Sequence, residues 1–282
     1  MYPNYVYLNG EILDYKDAKI SVFDRGFLFG DGVYEVMLRI NKQFFCMDKH
    51  LQRLSNGLQK IRLEFGIELL HDAIEELLRV SNLEDTDALV YIQITRGVAQ
   101  RKHNFPGNTT PTLMLYALPK SFPPINTTEV RLRSFADFRW HRCDIKSISL
   151  LGNVMANDEA IEADTHEAIF ERDGIVTEGS HSNIFFVKDQ VVFTHPADQM
   201  ILNGVTRQTV IQLCSELGIE VKEQGISKDE IHQMDESFIT GTTTQIAAVK
   251  QIDQHEFKDD NYPGMITQQL QKAFARLKWE RE

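Results

Sequence analysis

The sequence predicts an α+β fold in two domains. Short β-rich runs meet at the turn signals Asn9-Gly10, Asn41-Lys42, Asp173-Gly174 and Lys188-Asp189, as hairpins do. Stretches with apolar residues at helical spacing lie among these runs without strict strand–helix alternation, which argues against a doubly wound parallel sheet. Residues 118–130, LPKSFPPINTTEV, are rich in Pro, Ser, Thr and Asn and read as the best linker in the chain. The domains are therefore drawn as 1–118 and 131–282, joined by 119–130.

In the first domain, residues 5–8 and 19–23 read as short strands around Asn9-Gly10. Residues 33–40 alternate and turn at Asn41-Lys42 into a partner at 44–46. Asp48 can cap a helix that runs to about Ile61, with Leu51, Leu54, Leu58 and Ile61 on one face. A second helix is expected over 71–80, and strands over 89–95 and 112–117. In the second domain a strand is expected at 130–135 and a helix at 151–163. Hairpin-like pairs follow over 167–176 and 184–193. Beyond them come a helix at 206–217, strands at 220–222 and 237–240, and an amphipathic helix at 265–277.

Composition narrows the function. The chain has 282 residues, 42% hydrophobic and 25% charged, with a net charge of −11. That balance is ordinary for a soluble protein and poor for non-specific binding to nucleic acid or anionic lipid. The three cysteines are far apart and odd in number, which predicts no disulfide framework and a cytoplasmic setting. The first residues carry no basic segment followed by an apolar one, and no apolar run is long enough to span a bilayer.

Several chemistries lack their residues. There is no Gly-x-Gly-x-x-Gly after a strand, no phosphate loop of the nucleotide-hydrolase type and no His-Glu-x-x-His, so no metal is expected. Gly179-Ser180-His181-Ser182-Asn183 resembles a nucleophile elbow but lacks its closing glycine.

What remains centres on Lys146. It sits before a helix, among Ile145, Ile148, Leu150 and Leu151. A desolvated lysine has a lowered pKa and forms Schiff bases. Alone, such a lysine reads as a solvated residue at a strand end. Three further features single it out. Glu178 follows a strand and could pair with a protonated pyridine nitrogen. Gly204-Val205-Thr206-Arg207 opens a helix whose N–H groups suit a phosphate. Thr240-Gly241-Thr242-Thr243-Thr244 follows a strand and offers further N–H and hydroxyl donors. Arg53, on the first long helix, could add a fixed positive charge.

These residues together resemble those of the fold-type IV aminotransferases that use pyridoxal phosphate (PLP). The resemblance runs end to end: Asp24-Arg25-Gly26, Phe29-Gly30-Asp31-Gly32-Val33-Tyr34-Glu35, His50 to Leu54, Asp144-Ile145-Lys146-Ser147, Asn153, Thr177-Glu178-Gly179, Ser182-Asn183, Gly204 to Arg207 and Thr242-Thr243. It implies a small N-terminal domain, a larger PLP-binding C-terminal domain, and a homodimer with the cofactor at the domain interface and the active site at the subunit interface. It implies that Lys146 is the Schiff-base lysine, and that Glu178 pairs with the pyridine nitrogen. Arg53, Val205, Thr206, Gly241 and Thr242 would hold the phosphate, with Gly241 standing where close relatives have a serine. Arg101-Lys102-His103 is similar to the Arg-x-His of the D-amino acid branch. With Tyr34, Arg101 and His103 would trap the substrate carboxylate, the loop coming from the other subunit. The implied reaction moves the amino group of a D-amino acid, D-alanine among them, to a 2-oxo acid such as 2-oxoglutarate. The alternatives of the same fold are an aminodeoxychorismate lyase and an L-branched-chain aminotransferase.

Overall fold

Asn9-Gly10 folds the chain back on itself at once. The computed structural model describes residues 2–122, 124–125, 129–257 and 262–279. In it β1 (Tyr5–Leu8) pairs antiparallel with β2 (Glu11–Asp14), Leu8 opposite Glu11. Asn9 is left-handed and also seats the hairpin: its N–H donates to Leu113 O, and its Oδ1 accepts from Leu113 N. The strand expected at 19–23 does not form. The tight hairpin gives β1 its partner immediately, and Ile20, Val22 and Phe23 stay exposed outside the sheet.

The chain divides into two compact units, Met1–Ser121 with Ile145–Ser149, and Phe122–Asp144 with Leu150–Glu282. After β2 the first unit continues through α1 (Arg25–Phe29), β3 (Gly32–Ile40), β4 (Gln43–Phe44), α2 (Met47–Lys60), α3 (Leu69–Val80), β5 (Ala88–Thr95) and β6 (Thr112–Pro119). Its sheet has the order β2-β1-β6-β5-β3-β4. One face is apolar every second residue, and α2 and α3 cover it. Leu51, Leu54 and Leu58 of α2 meet Val33 and Met37 of β3 in that core. Each such side chain contributes roughly 1.5–3 kcal/mol by burial. Asp48 does not cap α2: the N-cap is Cys46, left-handed, and Asp48 sits in the first turn, where its charge favours the helix dipole.

The second unit holds β7 (Glu129–Ala136), α4 (Leu151–Glu162), β8 (Glu167–Arg172), β9 (Ile175–Gly179), β10 (Asn183–Lys188), β11 (Val191–Thr194) and α5 (Val205–Leu217). Then follow β12 (Val221–Glu223), a 3-10 turn (Lys228–Gln233), β13 (Glu236–Gly241), β14 (Gln245–Ile252), β15 (His255–Glu256) and α6 (Met265–Trp279). The nine strands run β12-β11-β10-β13-β14-β7-β8-β9, with β15 on β14. α5 and α6 pack on β13, and α4 packs on β7 and β8. β14 has no counterpart in the sequence reading. Its segment Gln245-Ile246-Ala247-Ala248-Val249 is buried throughout and so lacks alternation, and its two alanines weaken the β signal.

The linker expected at 119–130 overlaps β6 and β7 at its ends, and residues 123 and 126–128 of it lie outside the described residues. The domain drawn as 131–282 needs one correction. Residues 145–149 belong with the first unit, because Ser147 bridges Val33, Tyr34 N–H donates to Lys146 O, Ile148 N–H donates to Gly32 O, and Ile145 joins the first core.

Candidate functional site

That excursion decides where Lys146 stands. Its backbone is stitched to the start of β3, and its Nζ lies 4.2 Å from the centroid of the Tyr34 ring. Tyr34 stacks on Tyr91, with ring centroids 5.6 Å apart, and Tyr91 on Tyr116, so the ring beneath the amine is part of a rigid aromatic column. Lys146 and Tyr34, both named from the sequence, are thus in direct contact.

One residue along β3, Glu35 points to the opposite face of the sheet and into α2. Arg53 clasps it in fork geometry, Nε to Oε2 at 2.9 Å and Nη2 to Oε1 at 2.7 Å. His50 Nδ1 meets Oε1 at 3.0 Å. Burial alone would raise the Glu35 carboxyl, but the Arg53 charge and the His50 and Arg53 hydrogen bonds outweigh it and hold it far below the usual range. Burial pushes His50 down, against the pull of Glu35, and the charges of Arg53 and Lys146 push the same way. His50 is thus neutral, and its Nδ1 carries the proton that Glu35 accepts. Arg53, expected as a phosphate ligand, has a buried counterion that the sequence reading did not include.

Arg101 and His103 gather elsewhere in this unit. Both rest on Phe29, Arg101 at 5.2 Å from the ring centroid and His103 with ring centroids 5.7 Å apart. Arg25 Nη1 holds the loop by donating to Lys102 O. Among the described residues no contact joins Arg101 or His103 to Tyr34 or Lys146.

In the second unit Glu178 is the penultimate residue of β9, with its carboxylate buried. Arg139 Nη1 donates to Oε1 at 2.9 Å; Leu202 N–H donates to Oε2 at 2.9 Å, and Asn183 Nδ2 reaches Oε2 at 3.4 Å. Burial pushes this carboxyl up to about 7, against the pull of Arg139 and Leu202.

Asn183 is the junction. It faces Thr240 across the β10–β13 ladder, donates to Leu202 O, and lies so close to Gly204 that a Cβ there would sit 2.2 Å from Asn183 Oδ1. The start of α5 and the end of β13 therefore converge on one side chain. Gly204 is the N-cap of α5 and supplies no side-chain cap, and Val205 and Thr206 are buried. A buried helix start with no cap leaves N–H groups in need of an acceptor, and a phosphate is such an acceptor. Gly241 closes β13 opposite Gln245, Thr242 follows it with a backbone N–H and a hydroxyl, and the buried Thr240 Oγ1 has no hydrogen-bond partner among the described residues. An uncapped buried helix start and an unpartnered Thr240 hydroxyl, both close to Asn183 and so to the Glu178 carboxylate, suit the phosphate and the pyridine nitrogen of PLP. Sequence reasoning gave no site role to Arg139 or Leu202, and named Asn183 only within the Ser182-Asn183 motif of the resemblance.

No cluster of His, Cys, Asp or Glu among the described residues is arranged to hold a metal ion, and no helix among them is long and apolar enough to cross a membrane.

A buried carboxylate beside an anion-seeking helix start, and an amine seated on a tyrosine column, are the parts of a pyridoxal-phosphate enzyme. The chain belongs to the family described as amino-transferase class IV, whose model matches residues 32–252. It is 40% identical over 271 residues to a D-alanine aminotransferase of Bacillus licheniformis, covering 95% of each chain. It is 38% identical over 277 residues to one from Staphylococcus haemolyticus, covering 96% of each. Among solved structures it is similar to the branched-chain amino acid aminotransferase of Escherichia coli, with a TM-score of 0.88 at 27% identity, covering 98% of this chain and 95% of the other. The T.th. branched-chain amino acid aminotransferase complexed with N-(5'-phosphopyridoxyl)-L-glutamate gives a TM-score of 0.88 at 25% identity, covering 99% and 95%. The protein is a PLP-dependent aminotransferase of the two-domain, fold-type IV α+β class.

Proposed function

We propose that this protein transfers amino groups between D-amino acids, D-alanine among them, and 2-oxo acids such as 2-oxoglutarate. The D-alanine aminotransferases that match nearly its whole length support the reading most strongly. The Arg101-Lys102-His103 loop supports it too, since a guanidinium fork and an imidazole suit a substrate carboxylate.

When bound, PLP supplies the electron sink for the pair left at the substrate Cα. Lys146 is the covalent anchor for the cofactor. The Lys146 Nζ, when free as a neutral amine, would be the base that takes the Cα proton. Tyr34, whose ring face lies 4.2 Å from Nζ, would stabilise the ammonium formed once that proton is taken up. Glu178 would accept a hydrogen bond from the protonated pyridine nitrogen. Arg53, Val205, Thr206, Gly241 and Thr242 would hold the phosphate. Tyr34, Arg101 and His103 hold the substrate carboxylate. Within one chain Arg101 and His103 stand on Phe29 without touching Tyr34, which favours a homodimer in which this loop serves the partner subunit's site. The odd number and wide spacing of the three cysteines in the sequence support a cytoplasmic protein.

The test is the visible spectrum of the purified holoprotein during single turnovers with a panel of D- and L-amino acids. D-alanine is expected to bleach the cofactor band and L-leucine to leave it. Lys146→Ala is expected to lose the band and the turnover together. Full turnover in that variant, or bleaching by L-branched substrates alone, would overturn the reading, the latter in favour of an L-branched-chain aminotransferase. Release of pyruvate from aminodeoxychorismate without an amino acceptor would favour the lyase.

A further inference from the structure

The reaction as assigned uses Lys146 and Glu178, and leaves a buried charge cluster behind Glu178 unexplained. Arg139 lies at its centre, its side chain 6% exposed. Its Nε and Nη2 both grip Asp137, at 3.0 Å each, while its remaining nitrogen, Nη1, donates to Glu178 Oε1 at 2.9 Å. The guanidinium lies 4.0 Å from the centroid of the Phe170 ring. Arg172 holds Asp137 from the other side at 2.9 Å. Every degree of freedom of Arg139 is therefore spent on delivering one N–H to one carboxylate oxygen.

We propose that Arg139 is a positioning residue for the transamination: it favours the ionised form of Glu178 and fixes the plane in which that carboxylate meets the pyridine nitrogen. The inference rests on the assignment of Glu178 to that nitrogen. Its chemistry is simple. A buried carboxyl without a cation takes up a proton, and a neutral carboxylic acid no longer favours a protonated pyridine. Glu178 is so deeply buried that it needs a cation even with two N–H donors on Oε2. The charged and titratable groups facing it are Arg139, Asp137 and, further off, the Cys143 thiol and Arg172. Asp137 opposes its ionisation, and Arg139 is its direct cationic partner. Asp137 and Arg172 serve Arg139 in turn, since a fork gripped on two nitrogens cannot swing off Glu178.

The test is a pH titration of the cofactor's absorbance in the holoprotein, with single-turnover rates, for wild type, Arg139→Lys, Arg139→Met, Glu178→Gln and Arg139→Lys/Glu178→Gln. Arg139→Met is expected to move the spectral transition and to slow the half-reaction by about tenfold or more, since one pKa unit at Glu178 is a factor of ten. Arg139→Lys, which keeps the charge and loses the fork, is expected to fall between it and wild type. In the Glu178→Gln background Arg139→Lys is expected to change neither reading. A wild-type profile in Arg139→Met would overturn the proposal. So would additive effects in the double variant, because they would mean that position 139 acts through packing alone. Should Arg139→Met fail to fold, the cycle between Arg139→Lys and Glu178→Gln decides by itself. A wild-type holoprotein without a cofactor band would instead sink the assignment of the site.

Discussion

Arg53 grips Glu35 through two nitrogens, at 2.9 and 2.7 Å, inside a pocket where Glu35 has no exposed surface. A residue assigned to a phosphate thus already has a counterion on its other side. The guanidinium is oriented before any ligand arrives, and a ligand anion meets a cation whose charge is partly spent.

Glu35→Gln separates these two effects. Removing one partner of a buried ion pair costs on the order of 3–5 kcal/mol, because the other charge is left alone. The cofactor-free variant is therefore expected to melt well below wild type. A phosphate on Arg53 would replace the lost counterion, so the gain in Tm on adding PLP is expected to be larger in the variant. Thermal melts with and without PLP read both. An equal gain in the two proteins would remove Arg53 from the phosphate site.

Gly204, the N-cap of α5, and Gly241 of the phosphate set should answer oppositely to a side chain. Gly204→Ala places a Cβ 2.2 Å from Asn183 Oδ1, which must move and take with it the Leu202 and Glu178 contacts. PLP affinity is expected to fall by tenfold or more, about 1.4 kcal/mol. At Gly241 a Cβ meets the Thr244 side chain at 3.3 Å, which a small shift relieves. Gly241→Ser is expected to fold normally and to tighten PLP several-fold, by roughly the 0.5–1.5 kcal/mol of an added hydrogen bond. Titration of cofactor-free protein with PLP measures both.

Glu178 gives a pH dependence of stability. Its carboxyl is raised from the ordinary 4.5 to about 7 by burial. Below the unfolded value both states hold the proton. As pH rises towards the folded value, only the unfolded chain has released it, so stability falls across that window. In cofactor-free protein Glu178→Gln is expected to lack this loss. It should match wild type near pH 4.5 and exceed it above pH 7, by a margin on the order of 3 kcal/mol. Urea melts at several pH values measure the difference. A constant difference across pH would place the titration on another group.

Local patterns carried much of this protein into view. The helix face of Leu51, Leu54 and Leu58, the hairpin signals and the residue types of the site were all legible, because backbone turns and helical periodicity act over a few residues. β14 was not legible, since a strand buried on both faces loses the alternation that marks strands. The short helix Arg25–Phe29 is too brief for a period to show. Arg139 stayed hidden because it is 39 residues from Glu178 in the chain and adjacent to it only in the fold.

By itself the sequence determined the α+β class, the choice of Lys146 as the Schiff-base candidate and the residue types that suit pyridoxal phosphate, because these follow from local pattern and side-chain chemistry. Tertiary structure alone decided that residues 145–149 join the first unit, that Arg53 comes with a buried counterion, and that Arg139 stands behind Glu178. Each of these depends on which distant groups share a low-dielectric pocket. The energy of a buried charge is set by those neighbours, and no run of adjacent residues records them.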